Sequence, residues 1–332
     1  MPTILTINSG SSSVKASLFG ADGSRRDFFY GHLRDPRSGF DHLLRDLQGH
    51  APDIVGHRFV HGGDISDAAR VVDDIELARL RAIVPLAPLH LPGNLLGIEL
   101  CRERFAVPQV ACFDTAFHFT LPEIARRLPI PASYGMRRYG FHGLNYAHVA
   151  SVLPALLGDP SRGNVIVAHL GSGASLCLLR ELKSQDTTMG YTPAGGIVMG
   201  TRSGDLDPGV MLELAQRHDV DTLRDIVFHQ MGLLALSDGE GSEMRDDHVA
   251  ARGVAQQRGQ HTGNMRIVQT VKTVAAHSIL GGDRQPPGDF RQGRMKSGIE
   301  AGDLRHGKAF AAQFDAQQIA RQVQRRKRHD GL

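Results

Sequence analysis

The sequence contains little cysteine and no long apolar run, and both shortages narrow the class of protein. Its three cysteines, Cys101, Cys112 and Cys177, are an odd number without CxxC spacing, which argues against a disulfide framework and a zinc knuckle. We expect them to be reduced and buried. No stretch approaches the ~20 apolar residues that span a bilayer, and residues 1–6 lack the basic-then-apolar plan of a signal peptide. The expectation is a cytoplasmic protein without membrane contact.

Length and charge divide the chain into unequal parts. Its 332 residues, of which 41% are hydrophobic and 22% charged, suit a globular protein of two domains with roughly 150 residues each. Residues 251–332 carry 15 Lys and Arg against 6 Asp and Glu, whereas residues 1–250 carry 23 against 29. Eleven of the 16 glutamines also follow residue 250. The composition therefore changes near that position.

A strand, a bend rich in Gly and Ser, and a second strand occur twice in the sequence. The first copy covers residues 3–19 and the second residues 164–176, about 160 residues later. The repetition predicts a duplicated domain, with the first domain at 1–150 and the start of the second at 151–250. Helix-like stretches such as 73–84 alternate with strands, which indicates an α/β protein. Loops rich in Pro, Gly and His are predicted at 85–92 and 139–143.

The periodic signal fades after residue 247. Residues 253–332 have scattered apolar positions among Gly, Gln and Arg, so they bury too little apolar surface to offset their ordering entropy. We expect 251–332 to be an atypical basic tail that is disordered. Its final RRKRH could contact nucleic acid or an acidic partner through counterion release. Because no aromatic residues are interleaved with these charges, a solvated tail is favoured and nucleic acid is not an expected partner.

The bend between the first two strands, NSGSSSVK at 8–15, has the composition of a phosphate cradle. Its backbone N–H groups, its hydroxyls and Asn8 could surround a polyphosphate, with Lys15 on the following strand. A serine-rich surface turn is the alternative, since the sequence is not GxxxxGK[ST]. The second bend, from His169 to Gly173, faces the same alternative. Two such bends across a cleft would hold one nucleotide from both sides.

Arginines and histidines framed by glycine recur along the chain. Arg58 in GHRFVHGG suits a carboxylate or phosphate because its planar fork pairs with either, and a structural salt bridge is the alternative. His57 and His61 have the spacing of a helical metal pair, but their neighbours favour strand and loop over helix. The histidines of LHLP, TAFH and GFHG are each typical of core residues, and Asp114 before Thr is typical of a helix cap. Their joint presence with Arg202 favours a functional site.

Eight motifs, in this order and spacing, resemble those of the acetate kinase family: NSGSSSVK, GHRFVHGG, LAPLHLP, FDTAFH, RRYGFHG, AHLGSGASL, MGYTP and MGTRSGDLDPG. The match runs from about residue 3 to about residue 247. The resemblance implies a duplicated ribonuclease-H-like fold of the actin and sugar-kinase type, with an incomplete second domain. It also implies transfer of the γ-phosphoryl group of ATP to acetate with Mg²⁺ or Mn²⁺, and a homodimer.

The resemblance assigns roles to residues at positions that match the family's motifs. Asp114 resembles the acid or substrate-orienting group, and His142 and Arg202 resemble the transition-state stabilisers. Asn8 would bind the metal. The substrate would lie against Arg58, Val60, Leu89, His90, Phe141 and Pro193. The nucleotide would contact Ser11, Ser13, Lys15, His169, Leu170, Gly171, Ser172, Gly173, Glu243, Met244 and Arg245.

The resemblance ends near residue 247. Ser172 and Glu243 stand where the family usually has Asn and Asp, and the later sequence shows neither a glycine loop like FTGGIGEN nor the late glutamate of the magnesium site. Residues 279–288 can be back-translated so that reading one nucleotide later gives FSAGIGNRPE, which favours a frameshifted end over a new tail. We therefore expect a weak or inactive acetate kinase. The alternatives are a propionate or other short-chain carboxylate kinase, and a non-catalytic remnant with a basic partner-binding tail.

Overall fold

Two β-sheets organise the chain in the computed structural model, which describes residues 2–10, 13–33, 35–47 and 49–237 and the backbone of 265–271. The strand order of the first sheet is β3-β2-β1-β4-β6-β5. Its strands are β1 (Ile4–Ser9), β2 (Val14–Phe19), β3 (Arg25–Tyr30), β4 (Ile54–Phe59), β5 (Ala69–Val71) and β6 (Gln109–Phe113). β1, β2 and β3 form an antiparallel meander, whereas β4 runs parallel to β1 and β6 runs parallel to β4.

The second sheet repeats four strands of that arrangement. β7 (Asn164–Leu170), β8 (Ser175–Arg180) and β9 (Lys183–Thr187) are an antiparallel meander, and β10 (Met265–Val271) runs parallel to β7. Its order, β10-β7-β8-β9, corresponds to β4-β1-β2-β3 of the first sheet. The duplicated α/β fold predicted from the two strand–bend–strand copies is confirmed.

Strand β10 lies where the sequence analysis expects no regular structure, so the prediction of a disordered tail over 251–332 does not hold at 265–271. The segment MRIVQTV is rich in β-branched residues, which favour an extended chain. It is short, and its pairing partner β7 lies about a hundred residues earlier, so a local reading of the sequence does not detect the strand. The other residues from 251 onward lie outside the described part.

The helices cap and connect the strands. They are α1 (Pro36–Asp46), α2 (Asp74–Ala82), α3 (Leu91–Arg104), α4 (Glu123–Arg126), α5 (Gly143–Leu157), α6 (Pro208–Arg217), α7 (Val220–Asp225) and α8 (Leu233–Leu236), with a π-helical turn at Ile226–Gln230. The helix predicted at 73–84 is α2, whose N-cap Asp73 accepts a hydrogen bond from the Glu76 amide. Of the helices that the structure describes, none is long and apolar enough to cross a membrane.

The two loops predicted from Pro, Gly and His are shorter than expected. Helix α3 begins at Leu91, inside the predicted loop 85–92, because Pro92 is compatible with the first turn of a helix, where its missing N–H is not needed. Helix α5 begins at Gly143, the last residue of the predicted loop 139–143. Both helix starts place a histidine, His90 or His142, at the N-cap position.

Helix α5 packs on the second sheet. Its buried Tyr146, Val149 and Leu153 join Val165 and Val167 of β7 in one apolar cluster. The predicted domain boundary at residue 150 lies inside this helix. The buried residues Tyr146, Val149 and Leu153 thus pack on the second sheet, whereas Leu144 at the start of α5 packs against the first sheet.

The core of the first domain lies between its sheet and helices α1 and α3. Phe40 of α1 is 0% exposed and packs with Leu5, Val14 and other buried residues of the sheet. A β-carbon at Gly97 of α3 would lie 2.8 Å from the Phe40 ring, so the two helices are in close contact there. All three cysteines are free and buried, as predicted.

We expect Phe40→Ala to lower the free energy of unfolding by ~3–5 kcal/mol, because it removes a buried ring and leaves a cavity between the helices and the sheet. Urea unfolding followed by circular dichroism measures this loss. Ile75→Ala on α2 is the control, since Ile75 is 83% exposed and its truncation should change stability by less than ~0.5 kcal/mol. Equal effects of the two substitutions would contradict the described core.

Candidate active site

Three polar side chains meet where parallel strands of the first sheet end. Asn8 lies on β1, Arg58 lies on β4, and Asp114 directly follows β6. The carboxyl ends of parallel strands share one edge of a sheet, which is where α/β proteins commonly bind ligands. Arg58 donates from Nη1 to Asn8 Oδ1 at 3.0 Å, and from Nε and Nη2 to Asp114 Oδ2 at 3.0 and 2.5 Å.

The ion pair of Arg58 and Asp114 is largely withdrawn from water. The Asp114 side chain is 2% exposed and the Arg58 side chain 26% exposed. The structural salt bridge considered for Arg58 is therefore present. A guanidinium has five N–H donors, and only three of those of Arg58 have partners among the described residues. Its partly exposed edge can still bind an anion.

Lys15 lies beside this group. In the antiparallel pair of β1 and β2, Lys15 is directly opposite Asn8, so the two side chains share one face of the sheet. Its Nζ lies 5.2 Å from the ring centroid of Phe29 on β3. The bend before Lys15 is closed by a hydrogen bond of 2.8 Å from the Gly10 amide to the Ser13 carbonyl. Ser11 lies outside the described residues.

His142, Gly173 and Arg202 form a second group at the bend between β7 and β8. A β-carbon at Gly173 would lie 2.9 Å from Arg202 Nη2 and 3.6 Å from His142 Nε2, so glycine allows both side chains to reach the bend. Arg202 Nη1 donates to the Pro193 carbonyl at 2.6 Å, and burial lowers the Arg202 pKa. No acidic residue in the described part pairs with Arg202. A desolvated cation of this kind favours an anionic ligand.

His142 has an unusual backbone conformation, with φ 60° and ψ 19°. A residue other than glycine in the left-handed region carries strain, and such residues are frequent at functional sites. Its ring stacks on His169 with centroids 3.9 Å apart, and its Nδ1 lies 2.8 Å from Ser175 Oγ. The ring is therefore held on two sides.

His90 links the two groups electrostatically. Burial, and to a smaller extent the positive charges of Arg58 and Arg202, lower its pKa to about 4, while Asp114 opposes them. Both arginines therefore lie close enough to His90 for their charges to act on it, although Arg58 is on a strand of the first sheet and Arg202 is in the segment between β9 and α6. Since its pKa is about 4, His90 is neutral at pH 7.

The predicted apolar pocket is only partly assembled. Val60 and Phe141 belong to one buried cluster with residues of the second sheet, including Leu170. Leu89 is half-buried and lies outside that cluster, and Pro193 contributes its carbonyl to Arg202. The nucleotide contact expected of Leu170 stays a prediction, and because its side chain is 0% exposed in the core, its backbone is the part that could make that contact.

The remaining predicted nucleotide contacts differ in exposure. Gly171, Ser172 and Gly173 follow the end of β7, and Ser172 is exposed. His169 is 7% exposed, and its Nδ1 lies 3.1 Å from Asn145 Oδ1. This buried ring is the one on which His142 stacks. Glu243, Met244 and Arg245 lie outside the described residues.

Two histidines of the sequence motifs have structural contacts. His57 lies on strand β4 with Nε2 2.7 Å from Gln109 Oε1, and His118 lies 2.9 Å from both Ser184 Oγ and the Phe141 carbonyl. Burial lowers the pKa of both to about 4. His57 is on a strand and not on the helix that its spacing with His61 would need. Among the residues that the structure describes, no group of three potential ligands among His, Cys, Asp and Glu is assembled.

Sequence reasoning missed Asn94, Tyr146 and Ser175. Asn94 Oδ1 accepts from the Val60 amide at 3.3 Å, and its Nδ2 donates to the Ser9 carbonyl at 3.0 Å, so it ties the two motif segments together. Tyr146 and Ser175 contact each other behind His142. All three lie inside or beside the motifs, but a buried partner in a hydrogen bond has no local sequence signal.

Comparison with known proteins shows the family of the chain. Residues 40–282 match the Acetokinase family. The acetate kinase of Nitrobacter hamburgensis is 40% identical over 286 residues, which cover 74% of this chain and 70% of that protein. The chain belongs to the acetokinase family.

Two further relatives show how much of the acetokinase length is present. The acetate kinase of Deinococcus deserti is 45% identical over 236 residues, which cover 68% of this chain and 57% of that protein. A solved propionate kinase from Francisella tularensis superposes with a TM-score of 0.64 at 32% identity and covers 76% of this chain and 74% of its own. This acetokinase therefore spans a little over half to about three quarters of these relatives' length.

Acid should destabilise this acetokinase through its buried histidines. Burial lowers the pKa of His118 to about 4 in the folded chain, against ~6.5 in the unfolded chain. The stability that depends on a neutral His118 is therefore fully present above pH ~6.5 and is lost as the pH falls toward 4. We expect His118→Gln to flatten the dependence of unfolding free energy on pH by up to ~1.4 kcal/mol per pH unit in this window. Urea titrations at several pH values measure the slope. His218→Gln at an exposed position is the control, and equal slopes in wild type and His118→Gln would contradict the burial.

Proposed function

We propose that this acetokinase reversibly transfers the γ-phosphoryl group of ATP to acetate, giving acetyl phosphate and ADP, with the weak or absent turnover that the sequence analysis expects of this chain. The observation that carries the proposal is the pair of arginines held at two places, Arg58 by Asn8 and Asp114 at the strand ends, and Arg202 beside His142 at the second bend. Phosphoryl transfer needs positioning and positive charge around the equatorial oxygens, and little covalent chemistry. Acetate is already an anion, so no base is needed to activate it.

Arg58 would bind the acetate carboxylate. Its free N–H groups offer two donors, and the ion pair with Asp114 fixes the guanidinium in place. In this arrangement Asp114 is a positioning residue for the arginine. The methyl group of acetate would face Val60 and Phe141, whose side chains are apolar and buried.

Arg202 and His142 would act on the transferred phosphoryl group. Arg202 supplies a desolvated positive charge, and His142 Nε2 reaches the same position beside Gly173. The bend at 171–173 and the face that carries Lys15 would hold the phosphates of ATP through backbone amides and the ammonium group. Each of these groups interacts more strongly with the charge of the transition state than it would in water.

The metal implied by the family, Mg²⁺ or Mn²⁺, does not fit the described residues as a complete site. Asn8 Oδ1 already accepts from Arg58, and the Asp114 carboxylate is engaged by the same guanidinium. Magnesium is usually held by one or two carboxylates together with substrate phosphates. Among the described residues Asp114 is the carboxylate shown at this edge, and its Oδ2 is already bound by Arg58, so these residues do not complete a magnesium site.

Propionate is a second candidate substrate, because the superposed Francisella protein is a propionate kinase. One extra methylene in an apolar pocket changes transition-state binding by only ~1–3 kcal/mol. Relative kcat/KM for acetate, propionate and butyrate separates the candidates.

A homodimer is also part of the proposal, and sedimentation of the purified chain tests it. The basic-tail alternative concerns residues outside the described part.

We expect Arg58→Ala and Arg202→Ala each to lower kcat/KM by ~10²-fold or more, since each removes a cation from a developing negative charge. A coupled assay with ATP, acetate and magnesium on the full 332-residue chain measures the loss. Arg217→Ala is the matched control, because Arg217 pairs with Glu213 on the exposed surface of α6. Near-wild-type kcat/KM in both site variants would refute the assignment.

A further inference from the structure

A buried chain of hydrogen bonds runs from Tyr146 through Ser175 to His142. The Tyr146 hydroxyl lies 2.5 Å from Ser175 Oγ, and the same serine oxygen lies 2.8 Å from His142 Nδ1. Tyr146 on α5 and Ser175 at the start of β8 are both 0% exposed. The proposed function uses His142 but gives neither of its two partners a role.

The chemistry of the tyrosine decides which group donates in each of these hydrogen bonds. Burial raises the pKa of Tyr146 well above its usual value, so its hydroxyl carries a proton. Within the described residues, Ser175 Oγ is the acceptor for that proton, because the other hydrogen-bond contact of the hydroxyl is the backbone amide of His169, which can only donate. Tyr146 therefore donates to Ser175. The opposite direction would leave a buried hydroxyl proton unpaired, at a cost of ~1–3 kcal/mol.

Because Ser175 accepts from Tyr146, it donates its own proton to the histidine. Ser175 Oγ accepts from Tyr146, and the acceptor within reach of its own proton is His142 Nδ1. Nδ1 must then carry a lone pair, so a neutral His142 ring carries its proton on Nε2. Nε2 is the atom that lies near Gly173 and Arg202 at the second bend. The stack of His142 on His169 holds the plane of the ring but does not choose between the two nitrogens.

We propose that Tyr146 and Ser175 are positioning residues that fix His142 as the Nε2–H tautomer, so that it donates a neutral hydrogen bond to a phosphoryl oxygen held beside Arg202. The identity of that anion rests on the proposed function, whereas the tautomer does not. With the other tautomer, Nε2 would direct a lone pair at the anion and repel it.

The tautomer can be read from the ¹⁵N resonances of the imidazole rings in the full 332-residue chain at neutral pH. The signals of His142 are identified by their loss in His142→Asn. We expect the wild type to show a pyrrole-type Nε2 and a pyridine-type Nδ1. Ser175→Ala and Tyr146→Phe should shift both nitrogens toward averaged values as the two tautomers mix, and Ser175→Thr, which keeps the hydroxyl, should restore the wild-type pattern.

Ser184→Ala is the matched control. Ser184 Oγ lies 2.9 Å from Nδ1 of another buried histidine, His118, so this variant breaks an equivalent contact elsewhere in the second domain and should leave the His142 signals unchanged. A pyrrole-type Nδ1 of His142 in the wild type would overturn the proposal. So would an unchanged His142 pattern in both Ser175→Ala and Tyr146→Phe. If neither variant folds, the wild-type pattern decides alone.

The kinetic consequence separates this inference from the proposed function. Ser175→Ala should lower kcat by up to ~10²-fold with little change in the KM for acetate, and Ser175→Thr should recover most of the loss. A wild-type chain without phosphoryl transfer but with the Nε2–H pattern would count against the proposed function and leave the tautomer assignment standing.

Discussion

The ion pair between Arg58 and Asp114 is the interaction on which the rest of the site depends. It joins the ends of β4 and β6, and a buried carboxylate without its arginine would leave an uncompensated charge. The backbone of Asp114 makes a further connection, because its carbonyl accepts from the Gly143 amide at 2.9 Å. A β-carbon at Gly143 would lie 1.9 Å from that carbonyl oxygen, so only glycine fits. The residue that fixes Arg58 therefore also fixes the start of α5 and, with it, His142.

The two copies of the duplicated fold share their strand arrangement but differ in the residues that face each other across the bend. In the first copy, Asn8 is opposite Lys15 across the bend, and in the second copy His169 is opposite Ser175. The first pair offers a cation and an amide on an exposed face. The second pair is buried and supports His142 from behind. In the first copy these polar residues lie on an exposed face, whereas in the second copy they orient the side chain of His142.

The sequence predicted the features that depend on local pattern. Apolar, β-branched runs on either side of a bend rich in Gly and Ser indicated β1, β2, β7 and β8, and the motifs pointed to Arg58, Asp114, His142 and Arg202, which the structure brings into two groups. What it missed depends on distant partners. Strand β10 needs β7 beside it, and Asn94 acts through the backbone of Ser9, 85 residues away. Leu170 was assigned to the nucleotide because it lies in a motif, yet the alternation of the strand directs it into the core.

The charge of the cleft explains why neutral histidines suit this site. Among the described residues Asp114 offsets the charge of Arg58, while Arg202 has no acidic partner, so these three side chains together carry about one uncompensated positive charge, to which Lys15 adds at the edge of the first group. A protonated His90 or His142 would add repulsion between cations here. Burial is the largest cause of the low pKa of His90, and the charges of Arg58 and Arg202 lower that pKa in the same direction. Neutral imidazoles can still donate hydrogen bonds to oxygen. The arginines therefore attract the anion, and the histidines orient it through the direction of their hydrogen bonds. In His142 that direction is set by Tyr146, which is buried and does not contact the anion.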